Sequence, residues 1–349
     1  MEREKDYKAK EVKPYTKEEV DKILTDIDNK LFAFIKEGNY KDVLLSMGNL
    51  GKYSFTNQIY ILLQNPEAKT VNGMRGWNYL GRSIKPGEKA LKIFSPITES
   101  VEEQVLDSDG NPKYDEAGEA ITKTKRVVKG FKPSFVFDIS QTKGKELKVF
   151  KMDENTSVED KEIIIRGLTD TVKEKGYTVG YASKEELGEG CYGLCNHSTK
   201  EIKILENMSD LQTVSTLVHE CGHCLAHSDY RKDFEGLTLS EKREIKEVEA
   251  ESIACVTCSH LGLDTTNFNF SYITGWSDGD ISKFRKNMDV IGTYAGQLIT
   301  GIDEAFEQDR RAKAEKRFNE EAYESLTEQV PQEVVKKKTR SKKAEVVLA

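Results

Sequence analysis

The stretch TLVHECGHCLAHSDY, residues 216–230, holds three of the chain's five histidines, spaced four apart, with a glutamate beside the first. On a helix, His219 and His223 stand one turn apart on one face. Both imidazoles can then reach a single ion at about 2.0–2.1 Å from each nitrogen. Glu220 cannot share that bond geometry, but it can reach a water on the ion and take its proton as a general base. This is the H-E-x-x-H arrangement. His227 lies about 12 Å along the axis from His219, so a straight helix cannot offer all three rings to one ion. It reads either as a supporting or substrate-facing group or as an ordinary exposed histidine.

Two histidines leave a zinc site one protein ligand short. The stretch EIKEVEAESIACV supplies Glu244, Glu247, Glu249 and Glu251. On a helical wheel Ile245, Val248, Ile253 and Val256 define its inner face, and only Glu249 falls within that face. A carboxylate among buried apolar residues is costly unless it is paired or metal-bound. Glu249 is therefore the expected third ligand, with a salt bridge to a neighbouring Lys or Arg as the alternative. The pairs Cys221/Cys224 and Cys255/Cys258 raise a rival four-thiolate site. Both lie within expected helices, on or beside their packing faces, where cysteine usually serves as a small hydrophobe.

The helix that carries the histidines, about residues 211–227, has its own packing side, made of Leu211, Val214, Leu217, Val218, Cys221 and Leu225. Ahead of it CYGLCN and EIKILEN read as a strand pair, and a helix near 158–175 opens that region. Helices are expected at about 241–260 and 279–300. At the N-terminal end residues 16–65 read as helical, with Thr16 as N-cap and Glu19 three positions on. SFTNQIYILLQNPEA is a second helix that stops before Pro66. From Thr70 the pattern turns strand-like, with a Pro86-Gly87 turn between two short runs. An acidic hairpin or loop is expected over 99–120, and FKPSFVFDIS reads as a closing strand.

At 349 residues, two domains and a tail are the natural division. The fold class is α+β: an N-terminal α+β domain over 1–145, a mainly helical domain with a small sheet over 146–304, and a charged helical or disordered tail over 305–349. Hydrophobic residues make up 37% and charged residues 32%. No apolar run approaches the roughly 20 residues needed to span a bilayer. The charged N-terminus lacks the apolar centre of a signal peptide. With six cysteines confined between Cys191 and Cys258, reduced thiols and a cytoplasmic location are the expectation.

The net charge of −7 hides a local asymmetry. Across residues 48–95, Lys52, Lys69, Arg75, Arg82, Lys85, Lys89 and Lys92 oppose only Glu67 and Glu88. They are interleaved with Tyr53, Phe55, Tyr60, Trp77, Tyr79 and Phe94. Single-stranded nucleic acid is held by that combination, cations along the phosphates and rings under the bases. The expected DNA-binding residues are Lys52, Arg75, Trp77, Arg82, Lys85, Lys89 and Lys92; the alternative is that the lysines are merely solvated and the aromatics, Trp77 among them, are core. The basic ending KKKTRSKKAEVVLA reads as a solvated tail.

The run SFTNQIYILLQNPEAKTVNGMRGWNYLGRSIKPGEKALKIFSP, followed by FVFDISQT, resembles the N-terminal domain of ArdC-type antirestriction proteins, carried by plasmids and other mobile elements. TLVHECGHCLAH with EVEAESIACVTCSHLGL resembles the zincin-like metallopeptidase domain that follows it in that family, related to the ImmA/IrrE peptidases. The resemblance covers roughly residues 15–300. It implies single-stranded DNA as partner, Zn2+ as cofactor, His219, His223 and Glu249 as ligands, and Glu220 as acid/base. Cysteine at 221 and 224 departs from the aliphatic or small residues usual there. Three functions follow: a DNA-coating antirestriction protein with a zincin attached, a regulatory peptidase that cleaves a repressor or another protein, or a DNA-binding protein with a structural metal.

Overall fold

Thr16 begins the first helix as its spacing to Glu19 requires, with each residue's side chain bonding the other's backbone. The computed structural model describes residues 13–328 apart from 106–110, 116–117, 148–150, 229–230, 232–233, 265–267, 269 and 271–280, and the side chains of 319–328 also fall outside that description. Helix α1 (Lys17–Lys36) turns its Ile27, Leu31 and Ile35 inward. It is followed by α2 (Tyr40–Asn49) and α3 (Phe55–Gln64). A short strand, β1 (Val71–Asn72), leads into α4 (Met74–Tyr79), then β2 (Arg82–Ile84), β3 (Leu91–Gln104), β4 (Thr122–Asp138) and β5 (Thr142–Gly144). β4 pairs with both β1 and β3 in one antiparallel sheet, and β2 pairs with β5.

Sequence pattern alone makes residues 74–79 strand-like, whereas the structure makes them helical. Trp77 explains the difference. It is fully buried and its indole N–H donates to the Phe137 carbonyl at 2.9 Å, so tertiary packing overrides the β-propensity of its neighbours. The acidic segment expected over 99–120 begins inside β3, whose residues 99–104 pair with β4, and Lys125 and Lys129 pair across the strands with Glu103 and Glu99. Residues 106–110 and 116–117 of that expectation lie outside the described residues. The free edge of β3 is covered by α3. Asn57 exchanges two hydrogen bonds with the backbone of Phe94, and Gln64 does the same with Lys92, so two amide side chains substitute for a missing strand.

Helix α5 (Val158–Lys173) opens the second half. β6 (Thr178–Ala182), the short α6 (Lys184–Leu187), β7 (Gly193–Asn196) and β8 (Glu201–Leu205) follow. They build a small sheet of order β6-β8-β7, with β6 parallel and β7 antiparallel to β8. Helices α7 (Asp210–His227), α8 (Leu239–His260) and α9 (Ile281–Glu328) complete the described chain. The basic ending at 336–349 lies outside the described residues.

One apolar core takes Leu44 and Met47 from α2, Leu217 and Val218 from α7, Ile253 and Val256 from α8, and Met288 and Ile291 from α9. It is continuous across the expected boundary after residue 145. Gly48 marks a close approach between the halves, because a Cβ there would lie 2.5 Å from the Val256 carbonyl oxygen. A second, smaller cluster (Leu50, Ile61, Val71, Leu91, Ile93 and Val136) packs α3 on the antiparallel sheet. Among the described residues no helix is long and apolar enough to cross a membrane.

Candidate metal centre and nucleic-acid surface

Ser209 caps α7, and the helix buries Val214, Leu217, Val218, Cys221 and Leu225 as its wheel requires. His219 and His223 emerge on the other side. Their Nε2 atoms are 3.1 Å apart. The third ligand atom in reach is Glu247 Oε2, 3.7 Å from His219 Nε2 and 3.5 Å from His223 Nε2. Ligands held tetrahedrally at zinc distances stand about 3.3 Å apart, so this trio is spaced for one ion. His219, His223 and Glu247 are a group able to hold a metal.

The outer partners fix which ring nitrogens carry hydrogen. Glu249 Oε2 accepts from His227 Nε2 at 3.0 Å, which leaves His227 Nδ1 as an acceptor. His223 Nδ1 lies 3.1 Å from it and donates, which leaves the His223 Nε2 lone pair facing His219. On the other ring, His219 Nδ1 donates to Glu251 Oε2 at 3.1 Å, again freeing Nε2. Two lone pairs and a carboxylate oxygen therefore converge on one point, an arrangement that a cation satisfies. Burial opposes charging His219, but Glu247 and Glu251 outweigh it and push its pKa up to about 10, so a cation at this point must displace a proton from Nε2. When those Nε2 atoms are protonated instead, hydrogen bonds from the two histidines hold Glu247 well below the usual carboxylate range.

Glu249, the ligand expected from its inward position, is inside as expected, yet it does not face the two Nε2 atoms. It is fully buried, paired with His227 and with the guanidinium of Arg231, whose Nη2 donates to Oε1 at 3.0 Å. The residue brought to the histidines is Glu247, from the outer side of the same helix. The signal available in the sequence was the four-residue interval between Glu247 and Glu251, which aligns both with one ridge of α8. His227 is buried and lowered in pKa, chiefly by burial.

Glu220 is also buried, and burial raises its pKa. β7 passes directly over it: a Cβ on Gly193 would lie 2.8 Å from Glu220 Cγ and Oε1. The cleft that contains His219, Glu220, His223 and Glu247 has a volume of about 1030 Å³, and Lys242, Arg243 and Lys246 line its α8 side. The four helical cysteines are buried free thiols, and burial raises the pKa of Cys221, Cys255 and Cys258.

In the N-terminal half, Trp77 is interior and presents no face to a base. Arg82 is spent on holding β5, with Nε donating to Thr142 Oγ1 at 2.7 Å and Nη1 donating to the Lys145 carbonyl. Lys85 Nζ donates to the Ser140 carbonyl at 2.7 Å. Lys52 leans over the Tyr53 ring at 5.3 Å. Arg75, Lys89 and Lys92 are exposed. Tyr79, one of the interleaved aromatics but not among the expected DNA-binding residues, is 91% exposed at the end of α4. It is four residues from Arg75, so ring and guanidinium share one face of the helix.

Residues 13–137 match the family model for the N-terminal domain of anti-restriction factor ArdC. Over that segment the chain is similar to the ArdC N-terminal domain. The matched residues run from before α1 to one residue short of the end of β4 and include Lys52, Arg75, Trp77, Tyr79, Arg82, Lys85, Lys89 and Lys92. Over most of its length the chain is 26% identical, across 341 residues, to the uncharacterized protein pXO2-81 of Bacillus anthracis. That match covers 89% of this chain and 55% of the relative, so the chain spans about half the relative's length. It is also similar to the crystal structures of the antirestriction ArdC protein from plasmid R388, metal-free and Mn(II)-bound. Each is 16% identical with a TM-score of 0.44, covering 82% of this chain and 97% of that one.

Proposed function

We propose that this is a single-stranded DNA-binding antirestriction protein that also carries a metal-dependent hydrolytic centre. The observation that carries the reading is the match of residues 13–137 to the ArdC N-terminal domain. Exposed Arg75, Tyr79, Lys89 and Lys92 supply the cations and the ring that a single strand needs. DNA is held by Lys52, Arg75, Lys85, Lys89 and Lys92 along the phosphates and by Tyr79 against a base, while Trp77 and Arg82 hold the platform in shape.

His219, His223 and Glu247 would hold the ion, for which zinc is our choice, since two imidazoles and one carboxylate form a donor set suited to it. When bound, zinc supplies Lewis acidity at the floor of the cleft. The protein's own part is to keep both Nε2 lone pairs aimed inward through Glu251 and His227. Glu220, less acidic than an exposed glutamate because it is buried, takes a proton from a water and returns it to a leaving nitrogen. A purely structural metal would not require such a base.

A second reading, a regulatory peptidase acting on another protein, is favoured by one observation, the passage of β7 over Glu220. Electrophoretic binding of the intact chain to single- and double-stranded DNA over a salt series tests the main reading. Single strands should bind more tightly, with affinity falling steeply as salt rises because phosphate contacts release counterions. Salt-insensitive binding, or none, removes it.

A further inference from the structure

The cleft has two walls that the metal ligands do not use. The first is the outer edge of β7. The Tyr192 carbonyl accepts from the Leu205 N–H at 2.8 Å, so in this antiparallel pair the hydrogen-bonded residues are Tyr192, Leu194 and Asn196. Gly193 and Cys195 therefore turn their N–H and C=O groups away from β8, toward the cleft. The Cys195 N–H already reaches the Glu220 carboxylate and the Gly193 carbonyl accepts from Cys191 Sγ at 3.0 Å, which leaves the Gly193 N–H and the Cys195 carbonyl as the groups the edge offers. The second wall is the N-terminal half of α8. Lys242, Arg243 and Lys246 line the cleft, and none of them has an ion-pair partner among the described residues. Three cations without an ion pair among the described residues stand on one wall of a chain of net charge −7, with the Lys246 ammonium 5.9 Å from the centre of the Phe234 ring.

Spacing relates the walls to the floor. Arg243 is one α8 turn before Glu247, about 6 Å along the axis, which is about two residues of extended chain. Leu239, 86% exposed, is a further turn away on the same ridge. We propose that the cleft takes an extended acidic polypeptide segment, its main chain along the open edge of β7 and its Asp or Glu side chains on Lys242, Arg243 and Lys246. This rests on reading the centre as one that acts on polypeptide. A peptide main chain repeats donors and acceptors at the spacing that a strand edge offers, whereas a phosphodiester chain has no N–H to give. A nucleic acid would also carry a charge at every step past Glu220, Glu247 and Glu251, whereas a peptide places its acids only where the cations stand.

The test uses the intact zinc-loaded chain carrying Glu220→Gln. A fluorescein-labelled dodecapeptide, apolar at its centre and flanked by glutamates, is titrated by anisotropy against the same peptide with lysines for glutamates. The acidic peptide should bind about tenfold more tightly, as several partly exposed ion pairs allow. The double change Lys242→Glu with Arg243→Glu should abolish or invert that preference while melting temperature and zinc content hold. Equal binding of the two peptides, or a preference that survives the double change, overturns the proposal. So does an oligothymidylate that displaces the peptide and depends on the same two cations, since the cleft would then be a nucleic-acid surface. Wild-type protein incubated with the acidic peptide and followed by mass spectrometry separates the two levels. Preferential binding without cleavage leaves the acidic-segment site standing and removes the peptidase reading.

Discussion

Glu249 Oε2 lies 3.0 Å from His227 Nε2, with both side chains sealed from solvent. This pair, backed by Arg231, stands behind His223 and sets the direction in which that ring can donate. Glu247→Ala should therefore remove a ligand and leave the fold intact. Glu249→Ala should strand Arg231 beside the core and destabilise by about 3–5 kcal/mol. Metal content by atomic emission and thermal melting, measured on both variants, read the two effects apart. Loss of metal from Glu249→Ala at unchanged stability, with Glu247→Ala silent, would reverse the assignment.

That comparison shows where the sequence is legible. The wheel places Glu249 on the inner face of α8, and it is there. What the wheel cannot show is the partner, because Arg231 reaches Glu249 from the segment before α8 and supplies the neutralising charge that a metal was expected to provide. His219 and His223 are readable because both donors lie on one helix, so periodicity alone joins them. The sequence leaves Trp77 open between core and surface for the opposite reason. Its burial depends on the Phe137 carbonyl, 60 residues away, and composition carries no such contact.

Trp77 and Tyr79 should accordingly separate in mutagenesis. Trp77→Ala should cost about 3–5 kcal/mol of stability, as expected for emptying a buried aromatic site. Tyr79→Ala should leave denaturant midpoints unchanged and weaken single-stranded DNA binding roughly 10- to 100-fold. A Tyr79→Ala protein that binds normally shows that the stacking surface lies elsewhere.

Tyr53 gives the N-terminal half a dependence on alkaline pH. Its hydroxyl donates to the Val71 carbonyl at 3.0 Å, and burial pushes its pKa from 10.0 up to about 12. The folded state thus holds this proton more tightly than the unfolded one. Its contribution is complete below the unfolded value of about 10 and is lost as pH rises through about 12. Denaturation midpoints taken at about pH 9 and about pH 11 should differ more for the wild type than for Tyr53→Phe, which has no proton to lose. An identical decline in both proteins would assign the alkaline sensitivity to other groups, such as the buried Tyr40.

Glu220 and Gly193 distinguish hydrolysis from binding. Glu220→Gln keeps the side chain's size and leaves His219, His223 and Glu247 in place, so zinc and DNA affinity should barely change. It removes the carboxylate that accepts a proton, so hydrolysis of a susceptible peptide should fall by about 100-fold or more. Gly193→Ala acts on the same group from the other side, since its Cβ would meet Glu220 and Thr216 at 2.8 Å and must displace the carboxylate or β7. It too should depress hydrolysis with metal retained. If protection of incoming DNA in a conjugation assay rests on coating the strand, both variants should still protect, whereas combined charge reversal of Arg75, Lys89 and Lys92 should not. Protection that disappears with Glu220→Gln yet survives the charge reversals would transfer the biological activity from the DNA surface to the cleft.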